Sequence, residues 1–88
     1  MNRDRLLNGN SKVISDGAYN IIDSLDRIEG SKETKVQAVA LVAVLLDEGI
    51  VMDRGDLFKI GHHIIDDLKM NTPLSLKAIR DYLKAEVL

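Results

Sequence analysis

Val36-Gln37-Ala38-Val39-Ala40-Leu41-Val42-Ala43-Val44-Leu45-Leu46 is the longest uncharged run of the chain, eleven residues with Gln37 as its one polar side chain. Ser31 before it can cap a helix and Gly49 after it can stop one, so the run predicts the middle of a helix over about 32–48. A helix that is apolar on every face must be covered on every face. Eleven residues fall well short of the roughly 20 that cross a bilayer, so the expected cover is protein.

The charges flanking the run are oriented against the helix. Lys32 and Lys35 sit early, Asp47 and Glu48 late, each opposing the helix dipole at a cost of a few tenths of a kcal/mol. Two readings account for them. One is neutral drift on a solvated surface. The other is that they answer to something besides the stability of their own helix.

On the N-terminal side, Ile14, Ala18, Ile21, Leu25 and Ile28 recur at spacings of four, three, four and three. They predict an amphipathic helix over about 12–29, with Ser11 as its cap, Ile22 widening its stripe and Gly30 ending it. Lys12–Asp16 and Asp23–Arg27 stand four apart and can form weak ion pairs. About two residues separate this helix from the next, which predicts an antiparallel hairpin. Residues 1–10 are polar and read as a flexible arm, with a short turn around Leu6 and Leu7.

On the C-terminal side, residues 49–56 form the longest interior connection. Ile50, Val51 and Met52 would plug one end of the core, Arg54-Gly55 reads as a turn, and Asp53 or Asp56 can cap the next helix. That third helix, over about 57–70, carries Leu57, Ile60, Ile64, Ile65 and Leu68 on one face. Gly61 lies inside the stripe, at a cost of about 1 kcal/mol, which a close approach of another helix would explain. Gly17, flanking the first stripe, would allow the same. Asn71-Thr72-Pro73 turns the chain into a fourth helix over about 73–86, with Leu76, Ile79, Leu83 and Val87 inward and Tyr82 at the edge. Phe58 is expected at the core edge. The fold class is therefore all-α: a compact bundle of four short helices, forming a single helical domain over residues 11–88.

Composition bounds the function. The chain has 88 residues, no Cys, no Trp and three aromatics, with 45% hydrophobic residues and a net charge of −2. The length allows one domain. The absence of Cys excludes a disulfide framework, a Cys-based zinc site and a thiol nucleophile. A chain this short buries only about 60–65% of its unfolded surface, so self-association is expected to supply what the core lacks. No apolar segment follows Arg3 and Arg5, so no signal peptide is read and an intracellular, cytoplasmic location is expected.

Few constellations carry chemistry. His62 with Asp66, and His63 with Asp67, are four apart on a helix and form candidate pH-sensitive pairs. The helix sets the two pairs about 100° apart, so they do not converge on one metal ion. The ordinary reading is surface pairing. No glycine-rich phosphate loop follows a strand, and the hydroxyl residues read as caps. No catalytic residue, metal or other cofactor is expected. Lys77, Arg80 and Lys84 align on one helix edge. The segment from Ile64 to Lys84 has a helix–turn–helix outline that would offer Ser75, Lys77 and Arg80 to DNA. The acidic balance of the chain and the nearby Asp66, Asp67 and Asp81 argue against it, because phosphate contacts supply most of such binding. Tyr19, beside carboxylates at the margin of its stripe, reads as an interface anchor or as a rim residue packed on a neighbouring helix.

The expected function is a small non-catalytic helical interaction protein: a regulator, adaptor or inhibitor that binds a partner protein of unknown identity. It is expected to form a homodimer or small homo-oligomer, with no membrane partner. Tyr19, Lys32, Lys35, Val39, Val42 and Leu46 are its candidate interface. The alternative is a DNA-binding regulator using Ser75, Lys77, Arg80 and Lys84. A weaker alternative is a binder of a small anionic ligand or nucleotide at a subunit interface, through Tyr19, Lys32 or Lys35. The size, aliphatic helices and lack of a catalytic set resemble those of phage-encoded and bacterial accessory proteins, a likeness of composition that assigns no target.

Overall fold

The computed structural model describes residues 2–50 and 53–88. Val51 and Met52, expected to plug the core, lie outside the described residues. Five helices follow one another: α1 (Arg3–Leu7), α2 (Ser11–Asp26), α3 (Lys32–Gly49), α4 (Asp56–Asn71) and α5 (Pro73–Glu86). No strand occurs among the described residues, so the all-α class holds. The four helices expected from the sequence are α2 to α5. No helix among the described residues is long and apolar enough to cross a membrane.

The additional helix lies in the expected arm. The Asn2 side chain accepts from the backbone N–H groups of Asp4 and Arg5 and so caps α1, which rests on α4 with Leu6 and Leu7 half-buried. Asn10, not Ser11, caps α2, accepting from the Val13 N–H at 3.1 Å. Asn is at least as good a cap as Ser, and it comes one residue sooner. The helix ends at Asp26 rather than Glu29, and Gly30 takes a left-handed φ of 128° in the turn. Ser31 caps α3 as expected, accepting from Thr34 N–H.

The packing partners differ from a simple hairpin. α2 packs chiefly on α5, and α3 touches α4, while α2 and α3 stand apart along their length. Among the described residues the buried apolar set is Ile22, Ile50, Ile60, Leu68, Leu76 and Val87, a thin core. On α2, Ile22 is the buried centre, whereas Ile21 is 63% exposed. Phe58, expected at the core edge, is 64% exposed, because one residue past Leu57 the helix has turned outward. Gly61 and Gly17 have no atom within 4 Å of where a Cβ would stand, so neither marks a close helix approach within the chain.

Three of the end charges of α3, Lys32, Lys35 and Asp47, bond outside their own helix. Lys35 Nζ donates to the backbone carbonyl of Asp26 at 3.1 Å and lies 3.9 Å from its carboxylate, at the carbonyl end of α2. Lys32 Nζ donates to the carbonyl of Leu88, beyond α5. Asp47 accepts from the N–H groups of Gly55 at 2.8 Å and Leu57 at 2.9 Å, capping α4 from outside. Helix ends leave such groups without intrahelical partners. Charges that oppose the dipole of α3 thus favour the dipoles of its neighbours. Asp53 and Asp56, the expected caps of α4, do something else: buried Asp56 accepts from Asp53 N–H and meets Lys59 at 3.6 Å.

The bonds from Gly55 and Leu57 hold the Asp47 carboxyl below the usual carboxylate range. Its folded-state pKa therefore lies under the unfolded value of about 3.9, so its contribution is full above that value and disappears as pH falls through the folded pKa. Asp47→Asn should lower the urea midpoint at neutral pH and flatten the acid limb of the stability curve, with Glu48→Gln as an unaffected control. Gly61→Ala meets no neighbour and should raise unfolding free energy by about 0.5–1 kcal/mol in denaturant titration.

Candidate interaction surface

Seven apolar side chains of α3 are more than two-fifths exposed: Val36, Val39, Leu41, Val42, Val44, Leu45 and Leu46. No residue of α3 is buried. The helix that most needs cover has the least. Where α2 and α3 stand apart, they leave an apolar groove. One part, about 430 Å³, runs between Ile21, Leu25, Val36 and Val39 and reaches Leu83 and Val87 of α5. A second part, about 280 Å³, continues past Ile28, Val42 and Leu46 to Leu57. Among the described residues Lys35 is the one charged residue lining these two parts, and its ammonium is occupied at the end of α2.

The candidate interface residues therefore divide. Val39, Val42 and Leu46 line the groove. Lys35 lines it too, with its ammonium bonded to Asp26, and Lys32 bonds to Leu88. Ile21, Leu25 and Leu83 line the groove although their spacing suggested the core. Their periodicity marked the apolar face correctly, but periodicity does not say whether that face is filled.

Tyr19 lies elsewhere, on a cleft of about 440 Å³ between α2 and α5, with Ser11, Lys12, Asp16 and Ser75 on its rim. The described cavity that holds Tyr19 includes neither Lys32 nor Lys35. The Tyr19 ring packs on Tyr82, centroids 5.2 Å apart at 49°, a tilted geometry favourable to aromatic pairs. Tyr82 in turn donates its hydroxyl to Asp23. Asp23, expected to pair with Arg27, is thus used to join α2 to α5. The Lys12–Asp16 pair forms as expected, at 3.0 Å.

The remaining candidates lie on the surface. His63 stands 3.6 Å from Asp67, and both are exposed. Neither His62 nor Asp66 takes part in an ion pair among the described residues. No group of three or more metal-ligating side chains gathers among the described residues. Ser75, Lys77, Arg80 and Lys84 are exposed on α5, but Lys77 is bonded to Asp81 at 2.7 Å. That bond raises the Lys77 pKa and lowers that of Asp81. A single residue, Thr72, separates α4 from α5, where helix–turn–helix motifs use a turn of about three or four.

No protein-family model, curated protein or solved structure matches the chain.

The Tyr82–Asp23 bond has a spectroscopic signature. The hydrogen bond to Asp23, then burial, then the negative charge of Asp23, Glu86 and Asp26 push the phenol up to about 12. The unfolded phenol titrates at about 10, so the bond contributes fully below that pH and is lost as pH rises through about 12. In a Tyr19→Phe background, ultraviolet titration should find the Tyr82 midpoint near the upper value, and Asp23→Asn should bring it down.

Proposed function

We propose that this chain is a non-catalytic helical interaction protein that works by presenting α3 and the groove beside it to another polypeptide. The observation that carries this reading is the exposure of seven apolar residues on one helix. Single exposed apolar residues are ordinary, but a contiguous apolar surface on a small water-exposed domain marks an association site. The groove supports the same reading. Nearly all its lining side chains are apolar, and the one ammonium in it is already bonded, which suits packing against apolar side chains rather than capture of a polar metabolite.

The alternatives draw less support. A DNA-binding surface needs free cations facing phosphate, and Lys77, the middle of the expected contact set, is neutralised by Asp81. The anionic-ligand reading needs a free polar group from Tyr19, Lys32 or Lys35, and each already has a partner within the chain.

The test is affinity capture from the native host, with wild-type chain and a Val39→Asp/Leu46→Asp double variant as paired baits. Proteins that bind through α3 should be retained by the wild type and lost by the variant while its helical circular dichroism persists. The same set of proteins on both baits would overturn the reading.

A further inference from the structure

We propose that the occupant of the groove is a second copy of this chain, with the α2–α3 layers of two copies laid face to face. This rests on the reading of α3 as a protein-binding surface and names its partner.

The exposed area is too large for a finished monomer. The chain exposes 6611 Å², whereas a compact monomer of 9.8 kDa should expose about 5,200 Å². The excess is therefore roughly 1,400 Å². Obligate homodimers bury about 1,000–2,500 Å² on each copy, and the excess falls inside that range. Shape agrees with area. The radius of gyration is 13.7 Å, against about 12 Å for a compact domain of this length. The Cα envelope is a slab only 16 Å across its short axis, hardly thicker than one helix laid on another. Two such slabs, stacked on the grooved face, would enclose between them the apolar side chains that one slab leaves at its surface.

Chemistry favours a copy over a different protein. An interface between identical chains must be self-complementary, each patch meeting itself across a two-fold axis. An apolar groove bordered by an apolar helix meets this condition, because any register that buries one copy's Val39, Val42 and Leu46 buries the other's. A strongly charged groove would repel its own image, and this one holds a single ammonium, itself bonded to Asp26. A net charge of −2 adds little long-range repulsion between copies. The surface also needs cover whenever the chain is folded, and the partner present in proportion to the chain is the chain itself.

The experiment compares the wild type with Val42→Asp and Val44→Asp by light scattering after size exclusion, at tens of micromolar. Val42 lines the groove. Val44 is 54% exposed and lies about 160° around α3 from Val42. The same substitution in the same helix carries the same helical cost, so only position differs. Wild type and Val44→Asp should have twice the 9.8 kDa chain mass, and Val42→Asp the single mass with its helical circular dichroism retained. If Val42→Asp loses its helix, Val39→Asp takes its place. The proposal is overturned if the wild type has the single mass, if the groove variant keeps the double mass, or if Val44→Asp also loses it. A wild-type monomer that binds a hydrophobic dye through α3 removes self-pairing and leaves the broader reading. A monomer that binds no dye removes both.

Discussion

Three polar ties at the ends of α3 set the layout of the molecule. Lys35 holds the carbonyl end of α2, Lys32 the carbonyl beyond α5, and Asp47 the amide end of α4. An amphipathic helix is oriented by its apolar stripe, which faces the core and turns its polar face to water. α3 has no such stripe, because its middle reads alike in every direction. Its orientation comes from its ends, where Lys35 and Asp47 supply groups that the ends of α2 and α4 lack and Lys32 bonds past the end of α5. Fixing α3 by its ends leaves its length free to stand off α2. The groove is the consequence.

The same contrast explains how far the sequence could be read. α2, α4 and α5 carry spaced apolar residues, and those spacings located the helices and most of the buried set, with Ile60, Leu68, Leu76 and Val87 among them. Helix ends were less legible. Two good caps stand side by side at Asn10 and Ser11, and the cap of α4 comes from Asp47, eight residues before Gly55 and on another helix. No local rule reaches that far. Gly61 misled for a related reason: its helix-propensity cost is a local fact, while the contact invoked to offset it is a tertiary one, and within the chain it is absent.

The candidate surface was legible as a place but not as a shape. An apolar run in a chain with a thin core marks α3 as the helix short of cover. It does not say which side of α3 opens into a groove, because Val42 and Val44 are the same residue on opposite faces. Nor does it show that Ile21, Leu25 and Leu83 line the groove. The intrachain partners of Lys32 and Lys35 were hidden by the same uniformity. With no polar face on the helix, the charges at its ends had no visible partner until the neighbouring termini were placed beside them.

The composition of α3 limits how well it holds together on its own. Val36, Val39, Val42 and Val44 are β-branched and lose side-chain freedom in a helix, so the run has only middling intrinsic helix propensity. Helices in folded proteins draw most of their stability from packing of an apolar face rather than from propensity. α3 packs little of its surface against its own chain, and its end charges oppose its own dipole. It is therefore a helix whose stability within one chain rests largely on ties at its termini. Covering it adds the packing it lacks. On the proposed pairing, the surface that joins two copies is also what completes the helix presenting it, so association and the ordering of α3 are thermodynamically linked.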